Sequence, residues 1–127
     1  MKNTVIVVDD SELIRNIMNK ALENDYNVIN ACNGKEAIEA MMMNTNISCM
    51  LLDLSMPEYN GFVVLDYFKE NNLFQKTPVF IISGDDSRDT IDKAFTYDIV
   101  DMLNKPFSMD NIKSAVERAI NLNQQRI

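Results

Sequence analysis

Five residues suited to phosphoryl chemistry each follow a short, mostly apolar run. TVIVV leads into Asp9 and Asp10, SCMLL into Asp53, VFII into Ser83, and VDMLN into Lys105. If the runs are strands of one open parallel sheet, their carboxyl ends face a common crevice, and side chains far apart in sequence converge there. Three carboxylates cannot meet unneutralised, because two like charges about 4 Å apart repel by about 4 kcal/mol at an effective dielectric near 20. Proton uptake or a divalent cation relieves this, and an all-oxygen site that keeps waters suits Mg²⁺. Such an ion could hold an incoming phosphoryl group for in-line attack by a carboxylate, with Lys105 as a point charge on its oxygens and Ser83 as a hydroxyl donor. Taken singly, each residue has an ordinary role: Asp9 or Asp10 as a helix cap, Ser83 in a turn with Gly84, Lys105 in solvent. The coincidence of all of them at four strand ends is what argues for a site.

The elements needed to position these groups are legible as alternating periodicities. Thr4 to Val8 is a continuous β-branched run, and Leu13, Ile14, Ile17, Met18, Ala21 and Leu22 then recur at helical spacing. A strand over Val28 to Ala31 precedes Gly34 and a helix carrying Ala37, Ile38 and Met41. The scheme repeats with a strand over Cys49 to Leu52, a helix from Gly61 to Glu70, a strand over Pro78 to Ile82 and a helix over Asp86 to Tyr97. A strand at Val100 to Leu103 and a closing helix complete it. In that helix Ile112, Ala115, Val116, Ala119 and Ile120 share one face, behind Ser108 as N-cap. Five βα units predict a parallel sheet with right-handed crossovers and helices on both faces.

Composition narrows the function. The 127 residues suit one domain, and no apolar run approaches the roughly 20 residues of a membrane span. No signal pattern precedes the first apolar run, so the expected location is the cytoplasm. A net charge of −7, from 19 acidic and 12 basic residues, opposes direct nucleic-acid binding. Histidine is absent, which excludes Ser-His-Asp and Cys-His nucleophilic sites and any His-containing zinc site, so a phosphohistidine donor must be another molecule. Cys32 and Cys49 lack metal or redox spacing and are expected as buried reduced thiols. Met41, Met42 and Met43 are expected to pack in the core with one exposed.

The stretches VVDDS at 7–11, LLDLSMPEYNG at 51–61, FIISG at 80–84 and NKPF at 104–107 together resemble a bacterial response-regulator receiver domain, the family of the chemotaxis regulator CheY. The resemblance spans nearly the whole chain, 1–124 as the receiver with 125–127 as a tail or the start of a linker. It implies a doubly wound, flavodoxin-like α/β fold with five helices around a five-stranded parallel sheet of order 2-1-3-4-5. It also implies Asp53 as phosphoacceptor, Asp10 as direct Mg²⁺ ligand, Asp9 acting through water and the Ser55 backbone carbonyl as a further ligand. Ser83 and Lys105 take the positions of the hydroxyl and lysine that contact the phosphoryl group, and the Lys105–Pro106 bond is one often cis in this family. The implied partners are a sensor histidine kinase or phosphotransfer protein, and a downstream protein or an output domain, with no membrane contact. Three positions depart from the pattern: Met102 stands where an aromatic ring usually responds to the hydroxyl residue, Gly84 replaces the usual alanine, and Asp98 stands where glycine is common.

Two other classes fit less well. An aspartyl-phosphate phosphatase of the haloacid dehalogenase type wants a second Asp two residues after the nucleophile as general acid, and Ser55 occupies that position. A flavin or nucleotide binder would need a Gly- or Ser/Thr-rich phosphate loop after the first strand, where Asp9 and Asp10 would repel phosphate.

Overall fold

The continuous apolar runs of the central strands suit burial on both faces, and the chain supplies a helix after each strand to cover them. In the computed structural model, which describes residues 2–57 and 59–125, the strands are β1 (Thr4–Val8), β2 (Asn27–Ala31), β3 (Ile47–Asp53), β4 (Val79–Ser83) and β5 (Asp101–Asn104). The helices are α1 (Glu12–Leu22), α2 (Gly34–Met43), α3 (Gly61–Glu70), α4 (Arg88–Ala94) and α5 (Met109–Gln125). All strand pairs are parallel, in the order β2-β1-β3-β4-β5, as the sequence implied.

Alternation along the strands divides the core in two. Val5 and Val7 join Met18, Leu22, Ile112 and Val116 under α1 and α5, whereas Ile6 and Val8 join Ala37, Leu65, Phe68 and Ala94 under α2, α3 and α4. The expected face of α5 is the buried one, and Ser108 caps that helix reciprocally: its Oγ accepts from Asn111 N–H while its own N–H donates to Asn111 Oδ1.

One irregularity sets the register of the site. Thr4 pairs with Ile47, but Val5 pairs with Cys49, so Ser48 is an extra residue in β3. Without that slip Asp9 would follow β1 to a place beside Leu52; with it, Asp9 arrives beside Asp53. A one-residue slip also exchanges faces. That is why Ile47 and Met50 share one core layer and Cys49 lies in the other.

Several sequence expectations are corrected. β3 begins at Ile47 rather than Cys49, because the extra residue breaks the alternation that marks a strand. α4 is much shorter than 86–97. Ser87 caps it by accepting from Thr90 N–H, and its end tightens as Thr96 N–H and Tyr97 N–H donate to Lys93 and Ala94 carbonyls. Leu13 is 69% exposed at the start of α1, and both Met42 and Met43 lie in solvent, leaving only Met41 against the core. Cys49 is buried as expected, but Cys32 is half-buried in the loop after β2. α5 continues to Gln125, and the rest of the expected tail, 126–127, lies outside the described residues.

Candidate functional site

The sheet reverses its direction of growth between β1 and β3, the position at which open α/β sheets open a crevice beyond their carboxyl ends. Asp9 leaves the end of β1 and Asp53 ends β3, and both are essentially fully buried, while Asp10 is exposed. A carboxylate oxygen from each of the three lies within 4.8 Å of the other two.

Neither Asp9 nor Asp10 caps α1. Ser11 does, accepting from Ile14 N–H at 3.2 Å, and Asp9 Oδ1 accepts the Ser11 N–H at 2.9 Å. Arg15, one turn into α1, donates from Nη1 to the Asp9 carbonyl at 2.7 Å and so fixes the loop that carries both acids. Nothing in the sequence pattern distinguished Arg15, since a basic residue early in a helix is usually solvated.

Lys105 is not solvated either. Its Nζ lies 2.8 Å from Asp9 Oδ2 and 3.5 Å from Asp53 Oδ2, with the side chain only 24% exposed. The shorter contact makes Asp9 Oδ2 the principal partner of the Lys105 ammonium. Lys105 itself is fixed from β4, its N–H donating to the Ser83 carbonyl at 2.8 Å, and the Lys105–Pro106 bond is cis.

Burial and then the Asp9 charge push the Asp53 carboxyl up to about 6, against the opposing pull of Lys105 and the Ser55 N–H, which donates to Asp53 Oδ1 at 3.2 Å. Burial works against the Lys105 ammonium, but the two carboxylates outweigh it and hold that group above its ordinary value. One ammonium therefore compensates three acids incompletely. Three carboxylate oxygens within reach of one another, two of them on buried residues, form a donor set that fits a small hard cation.

Ser83 is buried at the end of β4, beside Asn104 in register, and the expected turn is present. Its Oγ donates to the Asp85 carbonyl and accepts from the Asp85 N–H, both at 3.0 Å. Gly61, at the start of α3, packs so closely under Asp53 that a Cβ there would lie 2.6 Å from the Asp53 carbonyl oxygen. Met102 is half-buried, paired beside Ile81 of β4 and packed against the α2, α3 and α4 core layer.

Residues 5–117 match the family model of the response regulator receiver domain. The chain belongs to this family. The transcriptional regulatory protein SrrA of Staphylococcus aureus is 33% identical over 109 residues, which are 85% of this chain and 44% of SrrA. The chain thus spans less than half the length of the curated relatives it matches. Among solved structures, a response regulator receiver domain protein from Clostridium thermocellum is 24% identical with a TM-score of 0.87, covering 98% of this chain and 99% of that one. The chemotaxis response regulator CheY4 of Vibrio cholerae is 22% identical with a TM-score of 0.84, covering 94% and 99%. At these identities the two structures establish the shared fold. The protein is a regulatory receiver of the two-component type. No helix among the described residues is long and apolar enough to cross a membrane.

Within this receiver the five chemistry-bearing positions lie at the carboxyl edge of the sheet. Asp9, Asp10, Asp53 and Lys105 meet directly, and Ser83 reaches the group through the backbone of Lys105. Ser55 touches Asp53 through its N–H. Sequence reasoning missed Asp85 as well as Arg15. Asp85 Oδ1 accepts from Ser87 N–H at 2.9 Å and Oδ2 accepts from Thr90 Oγ1 at 2.8 Å, and these bonds hold its carboxyl below the usual range. The signal was present as an Asp two residues before a Ser cap, but the Ser lay inside the span read as helix, which hid the cap.

Proposed function

We propose that Asp53 accepts a phosphoryl group from a phosphohistidine on a sensor histidine kinase or phosphotransfer protein in a Mg²⁺-dependent reaction, and that this switches a protein-interaction surface. The observation that carries the reading is the buried Asp53 carboxylate, grouped with Asp9 and Asp10 within 4.8 Å and ion-paired to Lys105 at 3.5 Å. With its carboxyl at about 6, Asp53 is mostly ionised at neutral pH and able to act as a nucleophile. Its oxygen forms a bond to phosphorus as the phosphorus–nitrogen bond of the donor breaks, and the departing imidazole keeps the electron pair and takes a proton from water.

Asp9, Asp10, Asp53 and the Ser55 carbonyl would hold Mg²⁺, which supplies charge neutralisation on the phosphoryl oxygens. Lys105 offers ammonium donors from beside Asp53, and Ser83 a hydroxyl. Asp9, fixed through its carbonyl by Arg15, orients Lys105. The chain then catalyses only its own phosphorylation and dephosphorylation.

Residues 1–124 would act as the receiver unit in the cytoplasm, with 125–127 leading to an output module or leaving the surface free for a separate downstream protein. The greater length of SrrA supports the first arrangement. The acidic surface argues against nucleic-acid contact by this domain. Intact-mass measurement after incubation with acetyl phosphate and Mg²⁺ tests the assignment: one phosphoryl group is expected on the parent and none on Asp53→Asn. Equal labelling of the two proteins would remove Asp53 from the role.

A further inference from the structure

We propose that the amino edge of the sheet, on the far side from Asp53, carries a second ligand site that takes a small phosphorylated polyol such as a sugar phosphate. A cavity of about 750 Å³ opens there between the starts of β1, β2 and β3, the turn before β4 and the last turn of α5. That volume falls within the roughly 300–1,000 Å³ of ordinary small-molecule sites. The proposal is independent of the reading of Asp53, because none of the chemistry-bearing residues of the carboxyl edge lines this cavity.

The irregularity in β3 shapes the opening. Ser48 is the extra residue in the pairing with β1, and a bulge of this kind bends its strand and re-aims the side chains beside it. The bend is pinned from outside that pairing, where the fully buried Thr77 hydroxyl donates to the Ile47 carbonyl at 2.8 Å. Ser48 Oγ donates to Asn3 Oδ1 at 3.3 Å, which leaves the Asn3 amide protons for a ligand. Asn27 N–H donates to the Asn3 carbonyl at 2.9 Å, and Asn123 Nδ2 donates to the Lys76 carbonyl at 3.5 Å, joining α5 to the turn before β4. The walls are therefore set before any ligand arrives.

The chemistry of the lining selects the ligand. Its charged residues are Lys2 and Lys76, both cations, in a protein of net charge −7. No carboxylate lines the cavity among the described residues, and neither lysine is ion-paired among them. The carboxyl end of α5 lies nearby, and its roughly half negative charge opposes an anion, but two whole ammonium charges outweigh it. The side chains of Thr4, Asn27, Thr45 and Asn46 make no hydrogen bond among the described residues, and their amides and hydroxyls offer the mixed donors and acceptors that sugar hydroxyls require. Ile47 is the single apolar residue of the lining, and it is buried. No aromatic ring is there for a base to stack on, which favours a phosphorylated polyol over a nucleotide.

The test follows the backbone amide resonances of the full chain, without Mg²⁺, during titration into the millimolar range with the phosphate esters of glucose, ribose and glycerol. Inorganic phosphate, glucose and ADP serve as comparisons. At least one ester is expected to give saturating shifts at Thr4, Asn27, Asn46 and Ser48 while the amides of Asp9, Asp53 and Ser83 stay in place. Lys76→Gln should weaken that binding roughly tenfold, the size of one lost charge-assisted hydrogen bond, whereas Lys113→Gln, at an exposed position near the other end of α5, should leave it unchanged. Parent-like resonances in the rest of the sheet report that both variants are folded. The proposal is overturned if none of the three esters gives a saturating response at this edge, or if the two variants weaken binding equally. It is also overturned if inorganic phosphate, glucose or ADP binds there as tightly as the best ester.

Discussion

The two sides of the carboxyl edge are built differently. On one side β3 has six of its seven residues buried and passes into α3, which buries Gly61, Val64, Leu65 and Phe68. On the other side β5 has no fully buried residue, and Ala94 is the one fully buried residue of α4. Asp53 stands on the first side and Ser83 faces the second. A nucleophile needs a fixed position and a low-dielectric surrounding, which dense packing supplies, whereas an element that must change state needs a small difference between its states. On the proposed reading, Asp53 sits on a densely buried strand, across the carboxyl edge from the helix with the least buried surface.

The largest expected effect tests the asymmetry itself. Phe68→Ala, which empties a fully buried site under α3, should cost about 3–5 kcal/mol in urea unfolding, whereas Phe95→Ala, half exposed at the end of α4, should cost under about 1 kcal/mol. Similar losses would mean that α4 is anchored better than its burial indicates.

The second effect concerns the charge at Asp53. Its folded carboxyl titrates near 6, raised first by burial and then by Asp9, against an ordinary value of 3.8. Between those values the folded state binds more protons than the unfolded one, so the proton-linked stability is full below about pH 4 and is lost as pH rises through about 6. Asp53→Asn should therefore stabilise the protein by up to about 3 kcal/mol at pH 7 in the presence of a chelator, and give little gain at pH 4. Urea midpoints at both pH values measure this, and a pH-independent gain would point to packing instead of charge.

A smaller effect is expected at Gly61. A methyl group there would press on the Asp53 carbonyl at 2.6 Å and on Leu54 Cα at 2.8 Å, so Gly61→Ala should cost about 1–3 kcal/mol and shift the amide resonances of Asp53 and Leu54. Unmoved resonances would show that the floor of the site is softer than it looks. The smallest concerns the latch between α3 and the end of α4. Tyr97→Phe removes the donor to Asp66 and should cost about 1 kcal/mol or less, with faster amide exchange confined to 91–99. Faster exchange in β3 would break the separation of the two sides.

The densely buried β3 side was the more legible in sequence. Continuous apolar runs at Thr4 to Val8 and Cys49 to Leu52 announce doubly buried strands, and the acids that follow them stand out because charge rarely follows such runs by accident. Even there the register slip at Ser48 was invisible, since it depends on how β1 pairs with β3 and not on either segment alone. The α4 side was read less well. Asp85, Ser87 and Thr90 are polar residues whose bonds to one another cut α4 short, and propensity alone cannot separate such a cap from a solvated helix turn. Leu13, Met42 and Met43 fitted an apolar stripe or run but lie in solvent, because periodicity does not fix the rotation of a helix over its sheet.

Chemical location of the phosphoryl group tests most directly whether Asp53, at the end of the densely buried β3, is the nucleophile. After treatment with acetyl phosphate and Mg²⁺, borohydride reduction converts an acyl phosphate to a primary alcohol, and peptide mass spectrometry shows which aspartate has become homoserine. The account predicts conversion at position 53 alone. Conversion at position 9 or 10, or at none of the three in a protein that has gained a phosphoryl group, would contradict it.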